Sequence, residues 1–383
     1  MKRRTFLATV GAGSIALAGC TGGDGGGGET TSTAGGETTT SETTSGGTTA
    51  TTAASNPLSG TLRVATYQPF IDAPSVSPGK WIKREFEKAY PDATLKYLTP
   101  DSELNYFIQR RKAGVTIDAD VYVGMNADDL VRIDQKLGDT PLFDPIEQGT
   151  LANESHVRDE LRFDPKRRAV PFDTGYISLV YDQTKVDDPK TFDALTTAPY
   201  KGKLIAQNAQ SSDTGQAFML WTVKTLGEND YLDYWGQLLD NDVRIVDSWS
   251  SAYNAYSNGE APIVVSYSTD QVYAHQYDEP LEKHQIGFLN DQGYANPEGM
   301  ARFTTTDVPE LATAFIDWML SKQAQSKIPI LNVSFPATDW ADLPESFSKY
   351  AFEPPEIVTY TYDELSGNLD SWVNQWAERI ASN

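Results

Sequence analysis

Thr61-Leu62-Arg63-Val64-Ala65-Thr66-Tyr67 decides the fold when read together with the segments downstream of it. The run carries branched apolar residues and reads as a strand. Residues 79–90 then read as a helix, with Trp81, Ile82, Phe86 and Ala89 spaced for one face. Residues 93–98 are strand-like and 102–113 helix-like. Residues 119–125 form a short apolar run, as in a parallel strand buried on both faces, and 127–137 are helical again. Strands alternating with helices predict an α/β lobe on a mostly parallel sheet.

The alternation continues downstream. Residues 170–182 form a long extended run, and Lys203-Leu204-Ile205-Ala206 is a further strand. Helices fit 215–226, 230–239, 250–258, 309–321 and 365–380, and strands fit 243–246 and 261–267. No internal repeat is visible. Folding starts near Gly60, which leaves about 320 residues, too many for one ordinary core and natural for two lobes.

Upstream, Arg3-Arg4-Thr5-Phe6-Leu7 reads as a twin-arginine export signal. A short apolar run comes next, too short to span a bilayer, and ends in Leu17-Ala18-Gly19-Cys20, which looks like a lipobox. Residues 1–20 are therefore expected to be processed, with Cys20 as the lipid-bearing anchor to the outer face of the cell membrane. Residues 21–58 are Gly, Thr, Ser and Glu with almost nothing apolar, and read as a flexible tether.

Composition narrows the chemistry. Cys20 is the only cysteine of the chain, so a lipidated Cys20 leaves no thiol nucleophile, thiolate metal site or disulfide. His156, His275 and His284 show no metal-ligand spacing. No resident metal or cofactor is expected. The chain has 53 acidic and 31 basic residues, a formal net charge of -22, which repels phosphate backbones and argues against nucleic acid. Acidic excess with few lysines suits solubility in high salt and points to a haloarchaeal source. The 39% hydrophobic content is enough to build a core, so the acidity belongs to the surface. Asn153-Glu154-Ser155 and Asn332-Val333-Ser334 are sequons.

Several stretches, none a strong motif alone, carry a resemblance by their order and spacing. They are Val170-Pro171-Phe172-Asp173-Thr174-Gly175-Tyr176 with Val180-Tyr181-Asp182, then Trp249-Ser250-Ser251-Ala252-Tyr253 with Gly259-Glu260. Val265-Ser266-Tyr267-Ser268-Thr269 with Tyr273, Ile328-Pro329, Asn332, Phe335-Pro336 and the run 372–376 complete the set. Across nearly all of 60–383 the chain resembles the thiamine-binding solute receptors of ABC importers. These are periplasmic binding proteins of the type 2 fold, with two α/β lobes, each a mostly parallel sheet flanked by helices, joined by hinge strands. The resemblance implies lobe 1 over 59–172 and 300–337, and lobe 2 over 173–299 and 338–383. Hinge crossings are expected near 172–176, near 299–303 and after Pro336.

The resemblance also implies ligand contacts. The family's aspartate-glycine pair falls at Ser102 and Glu103, beside Asp101. Its serine-threonine pair falls at Ser212 and Asp213, its tryptophan at Trp249, and its tyrosine-threonine-threonine-serine run at Tyr267, Ser268, Thr269 and Asp270. Tyr273 matches a further pocket tyrosine. Two family tryptophans are missing: one falls at Val333, and the other belongs to the first loop, which here holds Pro69, Phe70 and Pro74. Trp340 and Phe335 are the candidate replacements.

A cationic aromatic ligand needs flat π faces and nearby carboxylates. Tyr67, Trp249, Tyr267 and Tyr273 offer faces, each worth roughly 0.5–2 kcal/mol to a cation. Asp101, Glu103, Asp173, Asp213 and Asp270 offer charge, while Ser102, Ser212, Ser268 and Thr269 offer hydroxyls. Glu103, Asp213 and Asp270 stand where the family pattern is neutral, so an unphosphorylated cation is favoured over a phosphate ester. Each residue also has a plainer role: Tyr67 as a core aromatic, Asp213 and Asp270 as helix caps, Asp173 as a hinge residue without ligand contact.

The expected function is capture of thiamine or a related cation by a tethered, monomeric receptor that delivers it to a membrane permease powered by an ATPase. The alternatives are a receptor for a polyamine or ferric iron, or a cleft enzyme acting on thiamine-like compounds or glycans. Ferric receptors of this superfamily use adjacent tyrosines, and no Tyr-Tyr occurs. The thiamine-degrading enzyme of this fold needs a cysteine in its cleft, so an enzyme is not expected.

Overall fold

A computed structural model of the protein describes residues 58–73 and 77–382. The export signal, Cys20, the tether up to residue 57, and Pro74 lie outside them.

The described residues contain eleven strands: β1 (Gly60–Ala65), β2 (Ala93–Leu98), β3 (Val121–Met125), β4 (Ala169–Tyr181), β5 (Leu204–Gln207), β6 (Arg244–Val246), β7 (Ile263–Tyr267), β8 (Gln285–Gly287), β9 (Gln292–Arg302), β10 (Phe335–Pro336) and β11 (Glu356–Val358). They form one sheet in the order β2-β1-β3-β9-β4-β7-β5-β6, with β8 and β10 added to β4 and β11 to β9. β1 is parallel to β2 and β3, and β5 is parallel to β6 and β7. Between these two parallel groups run the long strands β4 and β9, antiparallel to each other. They join the groups, because β3 pairs with the C-terminal end of β9 and β7 with the C-terminal end of β4.

Apolar side chains alternate between the faces of these strands, and helices cover both faces. Leu62, Val64, Val121 and Val123 pack with Ile82, Phe86, Phe315 and Met319 from helices Gly79–Ala89 and Pro309–Met319. Val180, Ile205 and Val264 pack with Ala252, Ala255 and Tyr256 of helix Trp249–Ser257. A third cluster runs along the remaining face of both groups, from Phe107 and Leu130 to Phe218, Trp221, Trp235 and Trp376. Trp235 and Trp376 meet edge to face at 5.3 Å, which fixes the C-terminal helix Leu369–Ala381 on helix Tyr231–Asp240. Each such buried ring contributes roughly 1.5–3 kcal/mol.

The expected helix over 365–380 is two helices, Tyr362–Leu365 and Leu369–Ala381, with Gly367 at φ +87° between them. β9 is the element that periodicity did not reveal. Its interior Asn296-Pro297-Glu298-Gly299 has the composition of a turn, yet it is paired with β4 from Tyr294 to Ala301. The register sets residues 295–298, rather than 299–303, opposite Asp173–Tyr176, and β10 pairs there with Asp173 and Thr174.

Candidate functional site

Strand direction creates the cleft. β3 is antiparallel to β9 and β9 to β4, so β1, β2 and β3 run the same way as β4. β7 is antiparallel to β4, so β5, β6 and β7 run the opposite way. The carboxyl ends of the two parallel groups therefore face each other across the middle of β4. Met125 lies level with Gly299 and Pro171, and Tyr267 level with Ile177. Six residues of strand separate those levels, about 20 Å. Ligands of open α/β sheets bind beyond the carboxyl ends of strands, and here two sets of such ends share one gap.

The floor is a hydrogen-bonded network on β4 and β9. Tyr67 follows β1 and donates its hydroxyl to Glu298 Oε2 at 3.0 Å. Asn332 Nδ2 donates to Asp173 Oδ2 at 2.8 Å and lies 3.4 Å from the Tyr67 hydroxyl. Ser334 Oγ donates to the same Asp173 oxygen at 2.8 Å. Between these two donors, Val333 takes a left-handed conformation at φ 52°, ψ 44°, rare for a β-branched residue. That twist turns both neighbours onto one carboxylate oxygen, which engages the Asn332 sequon amide in the fold.

Burial raises the pKa of Asp173 to about 7, against the opposing pull of the hydrogen bonds from Asn332 and Ser334. Burial first, and then the Asp173 charge, push Glu298 well above the ordinary carboxylate range. Two glycines shape the same region. A Cβ on Gly124 would sit 2.4 Å from the Tyr67 ring, and one on Gly175 would sit 2.6 Å from the Tyr267 ring. Each tyrosine ring thus comes close against bare backbone.

The far wall is built at the ends of β6 and β7. Tyr267 places its hydroxyl 3.3 Å from Thr214 Oγ1, and the charges of Asp213, Glu298 and Asp173 all reach it. Trp249 begins its helix after Ser248, whose hydroxyl accepts from the Ser251 amide at 3.1 Å. The indole donates to Ser266 Oγ at 3.0 Å, one residue before Tyr267, and stacks on Tyr253 at 5.1 Å while remaining 38% exposed. Tyr253 donates to Asp270 Oδ1 at 2.6 Å, and His284 Nδ1 lies 2.7 Å from Asp270 Oδ2. Both oxygens of Asp270 are thus committed beneath Trp249. Ser268 and Thr269 are buried, with Ser268 Oγ unpartnered among the described residues. Tyr273 is exposed and packs on Tyr277 at 4.5 Å.

The rim is acidic. Asp101, Ser102 and Glu103 are exposed in the turn after β2, and Glu103 sits at φ 46°, ψ −125°, a glycine-favoured conformation. The resemblance implies a glycine at this position, and the backbone here is one that glycine adopts without strain. Ser212 caps helix Asp213–Leu226 by accepting from the Gly215 amide at 3.4 Å. Asp213 is open to solvent on one side, but burial on the other, reinforced by Asp128 and Glu103, raises its pKa to about 6 against the pull of Arg132. Arg132 pairs with Asp128 at 3.0 Å and Asp129 at 3.2 Å. Carboxyls outnumber that guanidinium, so the gap keeps a negative balance. Where the starts of helices Ala127–Leu137 and Asp213–Leu226 approach each other against β9, a cavity of about 10 Å³ remains, room for one water.

The structure therefore gathers Tyr67, Asp173, Asp213 and Tyr267 around one gap, with Trp249 at its edge. Asp270 lies in a layer behind, and Tyr273 outside on the surface. The replacement aromatics are engaged elsewhere: Trp340 stacks on His156 at 3.6 Å, and Phe335 packs on Tyr176 at 4.9 Å. Sequence reading missed Glu298, Asn332 and Ser334 as members of the floor. Only strand pairing brings Glu298 beside Asp173.

A two-lobed sheet whose facing strand ends border an acidic, aromatic gap has the architecture of a solute receptor. The chain belongs to the bacterial extracellular solute-binding protein family, whose sequence pattern matches residues 81–354. It is 29% identical over 325 residues to the thiamine-binding periplasmic protein of Salmonella typhimurium, covering 84% of this chain and 93% of that one. It is 28% identical over 321 residues to the Escherichia coli protein of the same name, covering 84% and 93%. A solved periplasmic thiamin binding protein superposes with a TM-score of 0.67 at 25% identity, over 84% of this chain and 96% of that one. The apo ferric ion-binding protein A of Pasteurella haemolytica shares the fold with a TM-score of 0.66 at 14% identity, over 84% and 98%.

Proposed function

We propose that this protein captures thiamine, or a closely related unphosphorylated cationic aromatic solute, between its lobes and presents it to the permease of an ABC importer. The observation that carries the reading is the pairing of ring faces (Tyr67, Tyr267, Trp249) with carboxyls (Asp173, Glu298, Asp213) that, among the described residues, have no neutralising cation other than Arg132. A flat cation gains from both, and water exclusion strengthens each contribution. The names of the relatives point to the same ligand. The lobes are 59–172 with 300–337, and 173–299 with 338–383. Closure is a population shift, because only the closed form lets both lobes touch the solute. Ser102, Ser212, Ser268 and Thr269 supply hydroxyls, Asp101 and Glu103 rim charge, and Tyr273 an outer face; Asp270 acts through Tyr253.

The same reading covers export and anchoring. The twin-arginine signal sends the chain out, Cys20 carries lipid, and residues 21–58 give a monomeric receptor its reach. The acidic surface keeps it soluble in high salt. No chemical change of the solute is involved.

Calorimetry in molar salt tests the ligand. Thiamine is expected to bind tightly and thiamine pyrophosphate at least tenfold more weakly, because its phosphates meet like charge. Trp249→Ala is expected to weaken thiamine by about tenfold, in line with about 1.4 kcal/mol for a lost ring face. Tighter binding of the pyrophosphate, or preference for ferric iron or a polyamine, would overturn the reading.

A further inference from the structure

Asp173 and Glu298 are direct partners in the β4–β9 ladder. Residues directly opposite in antiparallel strands project from the same face, with Cβ atoms about 4.5–5.5 Å apart. Two carboxyls are thus held side by side on the floor of the gap, and Asp173 is only 1% exposed. Their hydrogen-bond partners are neutral: Asn332 and Ser334 for Asp173, and Tyr67 for Glu298. The groups facing the pair from the neighbouring elements are Tyr67 after β1, Tyr267 on β7, Asp213 at the start of its helix, and Asp129 on helix Ala127–Leu137. None of these carries positive charge, and Arg132 is already tied to Asp128 and Asp129. Neighbouring carboxyls in such a place cannot both ionise without a cation.

Building on the functional reading above, we propose that the receptor exchanges a proton for its cationic ligand: the empty Asp173–Glu298 pair holds one proton, and the arriving positive charge drives it out to solvent. The balance is simple. The empty pair carries one negative charge and one carboxyl O–H. On binding, that O–H bond breaks, the proton leaves to water, and two carboxylates face one cation. The charge of the floor with its guest is the same as that of the empty floor, so the low-dielectric site never holds two uncompensated charges. The ionisation behaviour of both groups, held above the ordinary carboxylate range by burial, agrees with this arrangement.

The exchange makes affinity depend on pH in one direction. Below the titration of the empty pair, binding must first remove a proton, so thiamine affinity is expected to rise by close to tenfold for each pH unit and to level off once pH passes that titration. Calorimetry of thiamine binding at pH 6.5, repeated in buffers of different ionisation enthalpy, counts the proton directly. The expected count approaches one for the natural chain and falls toward zero only when both carboxyls are removed, in Asp173→Asn combined with Glu298→Gln, because burial alone holds either remaining carboxyl above its ordinary range. Any proton the ligand itself releases persists in that double variant and is subtracted. A count near zero in the natural chain, or one unchanged in the double variant, would overturn the proposal while leaving thiamine binding intact.

The infrared carbonyl band of the empty protein near pH 6.5 provides a ligand-independent arm. A protonated-carboxyl band in the natural chain that loses intensity in the variant carrying both Asp173→Asn and Glu298→Gln supports the exchange; a band of equal intensity in both overturns it even if thiamine proves to be the wrong solute. Absence of thiamine binding at every pH, with the band present, sinks the functional reading and leaves the proton-holding pair standing.

Discussion

Glu103 shows how much a single position can carry. Its φ of 46° with ψ −125° belongs to glycine, and a side chain held there costs on the order of 1–3 kcal/mol. Part of that is offset by the lower chain entropy of a non-glycine residue in the unfolded state. Glu103→Gly is therefore expected to stabilise the protein by about 1 kcal/mol, read as a higher denaturant midpoint with unchanged slope. The charge of Glu103 also helps hold Asp213 up to about 6, so the same variant should lower the Asp213 titration, visible by carboxyl NMR. Asp270 teaches a related lesson. Its position at the head of helix Asp270–Gln276 made a ligand contact and a cap equally readable from sequence. Side-chain geometry places it under Tyr253 instead, where it fixes the ring that supports Trp249. Asp270→Asn is expected to loosen that stack and weaken thiamine by a few-fold, while Trp249 fluorescence in the empty protein shifts as the indole gains freedom. An unchanged spectrum would remove Asp270 from the support of the site.

At the scale of elements, glycines set where the rings lie. Gly175 on β4 leaves room for the Tyr267 ring, which a Cβ would approach to 2.6 Å. Gly175→Ala must push that ring away or bend the strand, at about 1–3 kcal/mol. The expected result is a lower melting temperature together with weaker thiamine binding, and Gly175→Ala with Tyr267→Phe should not restore either, since the clash is with the ring. Helix and strand existence was legible wherever periodicity was strong: the helices Gly79–Ala89 and Ala127–Leu137 and the strand Ala93–Leu98 fall within a residue of their predicted spans. β9 was not legible, because Pro297 and Gly299 carry turn signals that strand pairing overrides. With β9 went Glu298, so the floor of the site was only half visible. Asn332 and Ser334 were hidden for a different reason: their role depends on the left-handed Val333 between them, and periodicity does not report a single reversed φ.

For the whole molecule, charge and pH act together. The formal net charge of -22 means that surface repulsion opposes the compact state. Molar salt shortens the screening length to about 3 Å, so the melting temperature is expected to rise steeply with added potassium chloride. At fixed high salt, the interior acids set the remaining pH dependence. Asp213 and Asp173 titrate near 6 and 7 in the folded protein, above the roughly 3.9 of an unfolded chain. The folded state therefore holds protons that the unfolded chain has released; this contribution is present below about pH 4 and lost as pH climbs through 6 and 7. Asp134, Asp182 and Glu364 work the other way, with lowered folded values whose contribution is lost in acid. Stability of the empty receptor is expected to peak between about pH 4.5 and 6 and to decline toward pH 8, with thiamine restoring most on the alkaline side. A thermal-unfolding series across pH in molar salt, with and without thiamine, measures this; an empty protein most stable at pH 8 would contradict it. The amino-acid sequence alone determined the α/β alternation and the acidic surface, because periodicity and composition are local or additive. It also carried the resemblance to a solute receptor. Only the tertiary structure decided that two opposed sets of strand ends share one gap, and that Asp173 meets Glu298 across a ladder 125 residues apart in the chain (298 − 173). Strand direction and register belong to pairings between distant segments, and no local pattern contains them.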